Sequence, residues 1–377
     1  MPDPRSAYAR LRAAHLTAVS AALEDLSSAP IMTKQQAQEN WDAVITAPDL
    51  DRAGAERILA EQQWFSYTAH DQQVVSSGGS SGVRGVYVWD WPFFISTACL
   101  AWRMQARDER RAPATGNRLA VLTAAVPPHA STALFDVPTV DGMQTTVIGR
   151  LARATLAGEL AIRPRRVSTN SEPLLPEDRE AIRKAWGATV HNLWGSTEIG
   201  VQAVGCGHGE GLHVCEDEVI LERVGADGVP VGPAEPAART LATGLANLTF
   251  PFIRYDLGDE VTLLSGECPC GSAFLRVADV TGRRDEDFSY GAITVPASAF
   301  RHVLGTDPRI TEYQVAQTVT GADIHVVGDP DPAALSAQIA IAVRRYGLQH
   351  PQITVTVVEQ LQRHQATGKL TRFVPRR

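Results

Sequence analysis

Seven consecutive small residues, Ser76-Ser77-Gly78-Gly79-Ser80-Ser81-Gly82, separate the apolar pair Val74-Val75 from the alternation Val86-Tyr87-Val88-Trp89. Such a run has little side chain to bury and too much backbone freedom to persist as a helix or a strand. The stretch therefore reads as strand, loop, strand. Glycines free a backbone to wrap around an anion and serines add hydroxyl donors, so the loop can cradle a polyphosphate or serve as a plain flexible connection. No Gly-Lys-Ser/Thr follows, which excludes a Walker loop, and the glycine spacing is not that of a dinucleotide fingerprint.

On either side of this segment the periodicity changes along the chain. Residues 1 to about 70 carry helical patterns broken by polar turns. From Ile148 to Leu160 alanines and leucines recur at helical spacing. A second helix opens at Pro176, with Glu177 and Asp178 at its positive end, Ile182 and Trp186 on one face, and Gly187 as the stop. Residues 217–264 read as successive strands with turns at Asp227-Gly228 and Gly258-Asp259. After 282–287 the pattern restarts with strand-like ITVPAS, QVAQTV and ADIHVV, a helix ALSAQIAIAVRRYG and a strand QITVTVVEQL. With 377 residues, the chain is expected to be an α/β protein of two parts. These are a large domain, 1–284, of mixed sheets with a β-rich subdomain, and a small α+β domain, 285–377.

A net charge of -7 supplies no basic face for a phosphate backbone, so a nucleic-acid partner is not expected. The sequence has no apolar stretch long enough to span a bilayer and no secretory h-region, so we expect a cytoplasmic protein without a membrane partner. A homodimer is the default for a soluble enzyme. Of five cysteines, Cys206 pairs in sequence with Cys215 and Cys268 with Cys270, leaving Cys99 alone. In a reducing compartment such clustering points to a metal or a buried core.

Two further segments carry chemistry. Leu193-Trp194-Gly195-Ser196-Thr197-Glu198 places an aromatic face, hydroxyls and a carboxylate on a tight turn, suited to stacking on adenine and holding magnesium. Phe252 to Asp259 ends in a carboxylate suited to accepting two ribose hydroxyls. In this order the elements resemble the ANL family of adenylate-forming enzymes, and within it the phenylacetate-CoA ligase-like branch. Ser76 to Gly82 is similar to the family's phosphate loop, and Ser171-Glu172-Pro173-Leu174 to its adenine-contacting segment. WGSTE looks like its aromatic motif, PFIRYDLGD its ribose motif, GRRDED its hinge motif and TGKLTR its C-terminal lysine motif. MTKQQAQENWDAVITAP resembles the N-terminal region of short bacterial members.

The resemblance implies an ATP-dependent ligase that converts a small carboxylic acid, aromatic by analogy with that branch, to acyl-AMP and passes the acyl group to CoA or another nucleophile, as in bacterial specialised metabolism. Trp194 would flank adenine, Thr197 contact phosphate and Glu198 place Mg²⁺. Asp259 would bind ribose, Arg283 the nucleotide, and Lys369 both the carboxylate and the α-phosphate. Lys369 lies in the small domain, so adenylation would need the mobile domain to close about a hinge at Asp285. The chain departs from the family where Val83 replaces the loop lysine, leaving phosphate contact to Arg84, where Trp194 replaces tyrosine, and where Leu257 replaces threonine. His129 and Trp89 are candidates to face the acid and receive no catalytic role. Some members of the branch carry a structural zinc on residues matching Cys206, His213, Cys268 and Cys270, with His208 a substitute for His213. A nucleotide sensor of the same fold, without turnover, is the alternative from another class.

Overall fold

The computed structural model describes residues 26–27, 29–62, 68, 70–77, 84–111, 143–170, 173–233, 235–280, 282–305, 307, 309–363 and 370–376. Three short helices come first: α1 (Lys34–Glu39), α2 (Trp41–Val44) and α3 (Arg52–Glu61). Thr33 and Gln36 close a reciprocal capping box on α1, and Asp51 caps α3 at Gly54 N. Together these helices bury Ala37, Trp41, Ala55 and Leu59 in the main core.

Strands β1 (Gln72–Ser76) and β2 (Val86–Asp90) are the two strands expected on either side of the Ser/Gly run, and they pair antiparallel with Ser76 opposite Val86. Trp41 Nε1 donates to Val86 O at 2.8 Å, which anchors the N-terminal helices to the loop's exit. Helix α4 (Trp91–Arg111) follows. Next, β3 (Met143–Gln144), α5 (Thr145–Leu156), β4 (Arg166–Asn170), α6 (Pro176–Trp186) and β5 (Thr189–Ser196) build a β-α-β-α-β unit. Its three strands are parallel, and each pair is joined by a helical crossover, as parallel neighbours need. Helix α6 has Pro at its first turn beside Glu177 and Asp178, and ends at Gly187 with φ 62°, a left-handed stop that glycine adopts without strain.

The chain then turns antiparallel through β6 (Gly200–Val204), β7 (Leu212–Val214), β8 (Val219–Val224), β9 (Arg239–Gly244), β10 (Tyr255–Asp256), β11 (Leu263–Leu264) and β12 (Arg276–Val277). The order β11-β12-β7-β6-β5-β4-β3 makes a seven-stranded mixed sheet, and β10-β9-β8 a separate three-stranded one. Strands β8 to β11 fall within 217–264, the stretch read from the sequence as successive strands. Between the elements lies a core holding Trp41, Tyr87, Phe93, Phe94, Phe250 and Phe252, each side chain contributing roughly 1.5–3 kcal/mol of burial free energy.

A 3-10 turn at Arg284–Glu286 leads into β13 (Phe288–Tyr290) and β14 (Ile293–Val295), then α7 (Ala297–Leu304), β15 (Ile310–Gln317), β16 (Gly321–Gly328), α8 (Pro332–Arg344), β17 (Gln352–Val357) and β18 (Phe373–Val374). Four of these strands form a sheet in the order β17-β16-β15-β18. The strand expected over ITVPAS stops at Val295. Pro296 cannot continue a ladder and instead caps α7, whose Ala297, Phe300 and Leu304 carry a helical period. Phe288, Phe300, Tyr313 and Phe373 belong to a second core, whose first member follows Val277, the last fully buried residue of the first. No helix among the described residues is long and apolar enough to cross a membrane.

Candidate active site and metal centre

The turn from β5 to β6 carries a buried carboxylate, Glu198. At Trp194/Gly195 the ladder shifts register, and a Cβ on Gly195 would lie 2.8 Å from Gly200 O, so only glycine fits. Ser196 Oγ accepts from Ile199 N at 3.2 Å and Gln202 Nε2 at 3.0 Å, and Trp89 Nε1 donates to Thr197 O at 2.9 Å. These bonds fix the turn that presents Glu198, which is only 7% exposed. Two tyrosine hydroxyls donate to the same oxygen, Glu198 Oε1: Tyr87 at 2.5 Å and Tyr255 at 3.0 Å. Burial first, and the charge of Glu198 second, push both phenols far above their ordinary value, so both remain donors. Neither tyrosine is singled out by the sequence.

On β5 itself Trp194 Nε1 donates to Asp259 Oδ2 at 2.7 Å. Arg283 Nε lies 3.4 Å from Asp259 Oδ1, and the backbones of the two residues pair as an antiparallel bridge. Three residues of separate motifs, Trp194, Asp259 and Arg283, thus meet at one carboxylate. At the hairpin mouth Ser77 Oγ accepts from Gly85 N at 3.2 Å and from Lys34 Nζ at 2.9 Å. Lys34 escaped sequence reasoning because its partner is 43 residues away and its position at the start of α1 reports only helix capping. Arg84, the cation expected at the loop, is ion-paired with Glu56 at 3.0 Å. Pro173 lies between β4 and α6. Gly78, Gly79, Ser80, Ser81, Gly82, Val83, His129, Ser171, Glu172, Lys369 and the side chain of Asp285 lie outside the described residues.

A second cluster joins two turns of the seven-stranded sheet. Cys206 follows β6, His213 lies on β7, and Cys268 and Cys270 occupy the β11–β12 turn, with Arg276 on β12 paired to His213. All four are buried and their ligand atoms lie within 4.8 Å of one another. Cys206 Sγ is 3.5 Å from Cys268 Sγ, and Cys270 Sγ is 3.4 Å from His213 Nε2. A tetrahedral zinc with Zn–S near 2.3 Å requires ligand separations of about 3.8 Å, so the donor set and spacing fit that ion. The hydrogen bond from Cys270, above other causes, holds the Cys206 thiol well below its usual range. Cys215 is outside the cluster, its thiol pushed up to about 12 by burial, and His208 is exposed.

No family model matches the chain. A stretch of 150 residues, 38% of the chain, is 27% identical to phenylacetate-coenzyme A ligase from Thermus thermophilus. The match spans 34% of that relative's length. Among solved structures, 2-hydroxyisobutyryl-CoA ligase in the postadenylation state with 2-HIB-AMP superposes with a TM-score of 0.66 at 17% identity, over 94% of this chain and 82% of that one. The chain has the fold of this CoA ligase. Anthranilate CoA ligase AuaEII in complex with anthranoyl-AMP shares this fold less closely, with a TM-score of 0.51 at 16% identity over 79% of this chain and 65% of the other. The mixed α/β architecture expected from the sequence is the one these CoA ligases have.

Proposed function

We propose that the chain is an ATP-dependent acid ligase, which activates a small aromatic carboxylic acid as acyl-AMP and transfers the acyl group to CoA. The observation that carries this reading is the convergence of Glu198 with its two tyrosine donors, the Trp194–Asp259–Arg283 group and the Lys34–Ser77 contact, which are the pieces a nucleotide with its phosphates and ribose needs. The similarity to acid-CoA ligases in sequence and fold supports it.

Each residue then has a task. Lys34 and Ser77 bind the phosphate tail, with backbone and hydroxyl donors of 76–82 alongside. Trp194 flanks adenine, the segment Ser171-Glu172-Pro173 contacts the base as well, and Gly195 and Ser196 shape the turn. Asp259 accepts the ribose hydroxyls and Arg283 holds the nucleotide. Thr197 contacts phosphate. Glu198 fits a hard divalent cation, because both tyrosine protons go to Oε1 and leave Oε2 as the ligand oxygen. Mg²⁺ held there would reduce the repulsion between the acid and the phosphates. Lys369 supplies a cation between acid carboxylate and α-phosphate as charge accumulates. The carboxylate oxygen attacks the α-phosphorus and pyrophosphate leaves; the CoA thiol then attacks the acyl carbonyl, its proton is lost, and AMP leaves.

The rest of the reading follows from this assignment. The division at 284/285 separates a core from a mobile lid that brings Lys369 to the site. Cys206, His213, Cys268 and Cys270 hold a structural zinc, since four protein ligands leave no open position for substrate. The enzyme works in the cytoplasm, as a homodimer, in bacterial specialised metabolism. Mass-spectrometric detection of acyl-CoA from ATP, CoA and a panel of aryl acids tests the assignment. Thioester formation with an aryl acid is expected; ATP binding without any product would point to the sensor.

A further inference from the structure

The indole of Trp194 makes a contact that stacking on a base does not use. Only 6% of the residue is exposed, and its Nε1–H is directed at Asp259 Oδ2 at 2.7 Å. The opposite oxygen, Oδ1, faces Arg283 Nε at 3.4 Å. Arg283 is itself anchored, since its guanidinium donates to Leu257 O at 3.0 Å and its backbone bridges to Asp259. The carboxylate therefore has a neutral hydrogen-bond donor from β5 on one oxygen and a cation beside the other. A tyrosine or phenylalanine ring at 194 has no N–H at the indole position, so the grip on Oδ2 belongs to tryptophan.

An ionised carboxylate accepts several hydrogen bonds, and one fixed in rotation presents both oxygens on one side in a defined plane. Two oxygens so fixed match two hydroxyls on adjacent carbons. A carboxylate free to rotate would serve a single hydroxyl almost as well as a pair. We propose that Trp194 is a positioning residue that acts through Asp259, locking it for a vicinal diol and so making the site select ribonucleotides over 2′-deoxyribonucleotides. This rests on the nucleotide reading above and adds the source of its sugar selectivity.

The test is calorimetric titration of the full chain with ATP and with 2′-deoxy-ATP, each with Mg²⁺, for wild type, Trp194→Phe and Asp259→Asn. Phe keeps an aromatic face and removes the N–H. Wild type is expected to prefer ATP, and Trp194→Phe to shrink that preference roughly tenfold, the loss of one hydrogen bond to a charged group. Asp259→Asn, which preserves shape if Trp194→Phe does not fold, is expected to shrink it as well. Equal weakening of both nucleotides by Trp194→Phe would overturn the inference, because that is the signature of lost stacking or general damage. A preference surviving in Asp259→Asn, or absent from wild type, would overturn it too. A wild-type chain that binds neither nucleotide would instead overturn the nucleotide reading itself.

Discussion

Replacing Tyr87 by Phe removes one hydroxyl from the core and leaves the ring's packing against Phe250 and Phe252 in place. The lost bond is the shorter of the two on Glu198 Oε1, 2.5 Å against 3.0 Å for Tyr255. A hydrogen bond to a charged group contributes about 1.5–3 kcal/mol net. Tyr255 still serves the same oxygen, so the loss should fall in the lower half of that range, about 2 kcal/mol. Removing both hydroxyls strips Oε1 of both donors on a side chain that is 7% exposed, so the double variant should lose more than the sum of the singles, about 4 kcal/mol or more. Equilibrium urea unfolding at pH 7 measures this, and a cycle with Glu198→Gln isolates the pair. In the Glu198→Gln background the cost of Tyr87→Phe should drop by at least about 1 kcal/mol, since a neutral amide gains less from the donor. A loss below about 0.5 kcal/mol in both backgrounds would refute the claim that the tyrosines hold a buried carboxylate in place.

Two other perturbations follow from separate parts of the molecule. Cys268→Ser should remove bound zinc, seen by elemental analysis, and cost about 3 kcal/mol or more of stability without altering acid preference; a wild type free of zinc would overturn the metal centre. Glu177, in the first turn of α6, lies beside Gly305, the C-cap of α7, and burial, the largest cause, raises its carboxyl above the ordinary 4.5. The folded state therefore holds this proton more tightly than the unfolded chain, so its contribution is complete below pH 4.5 and is lost as pH rises through the folded value. Glu177→Gln should raise Tm at pH 7 and leave it unchanged below the ordinary carboxyl value; an equal shift at both would contradict the burial argument.

Local patterns were legible where the chain itself carries the constraint. The Ser/Gly run dictates a loop between two strands, Pro176 and Gly187 bracket a helix, and Thr197-Glu198 mark a tight turn. What stayed hidden depends on distant partners. Tyr87 meets Glu198 across 111 residues and Tyr255 meets it across 57, and neither has a local signature. The choice between His208 and His213 is made by the register of β7, which sets His213 opposite Val204 and Arg276 and so beside the cysteines. Adjacency offers Arg84 as the cation for the loop, yet Glu56 on α3 takes it while Lys34 reaches Ser77. The strand over 293–298 is cut short because proline plus a helical period outweighs two β-branched residues.

Acid-dependent exchange of pyrophosphate into ATP tests adenylation most directly, because it requires the acyl-AMP step to run in both directions and needs no knowledge of the acceptor. The account predicts exchange that depends on an added aryl or short aliphatic acid, and a large loss of that exchange in Lys369→Ala with ATP binding retained. No exchange with any acid across such a panel, in a chain that binds ATP, would contradict it.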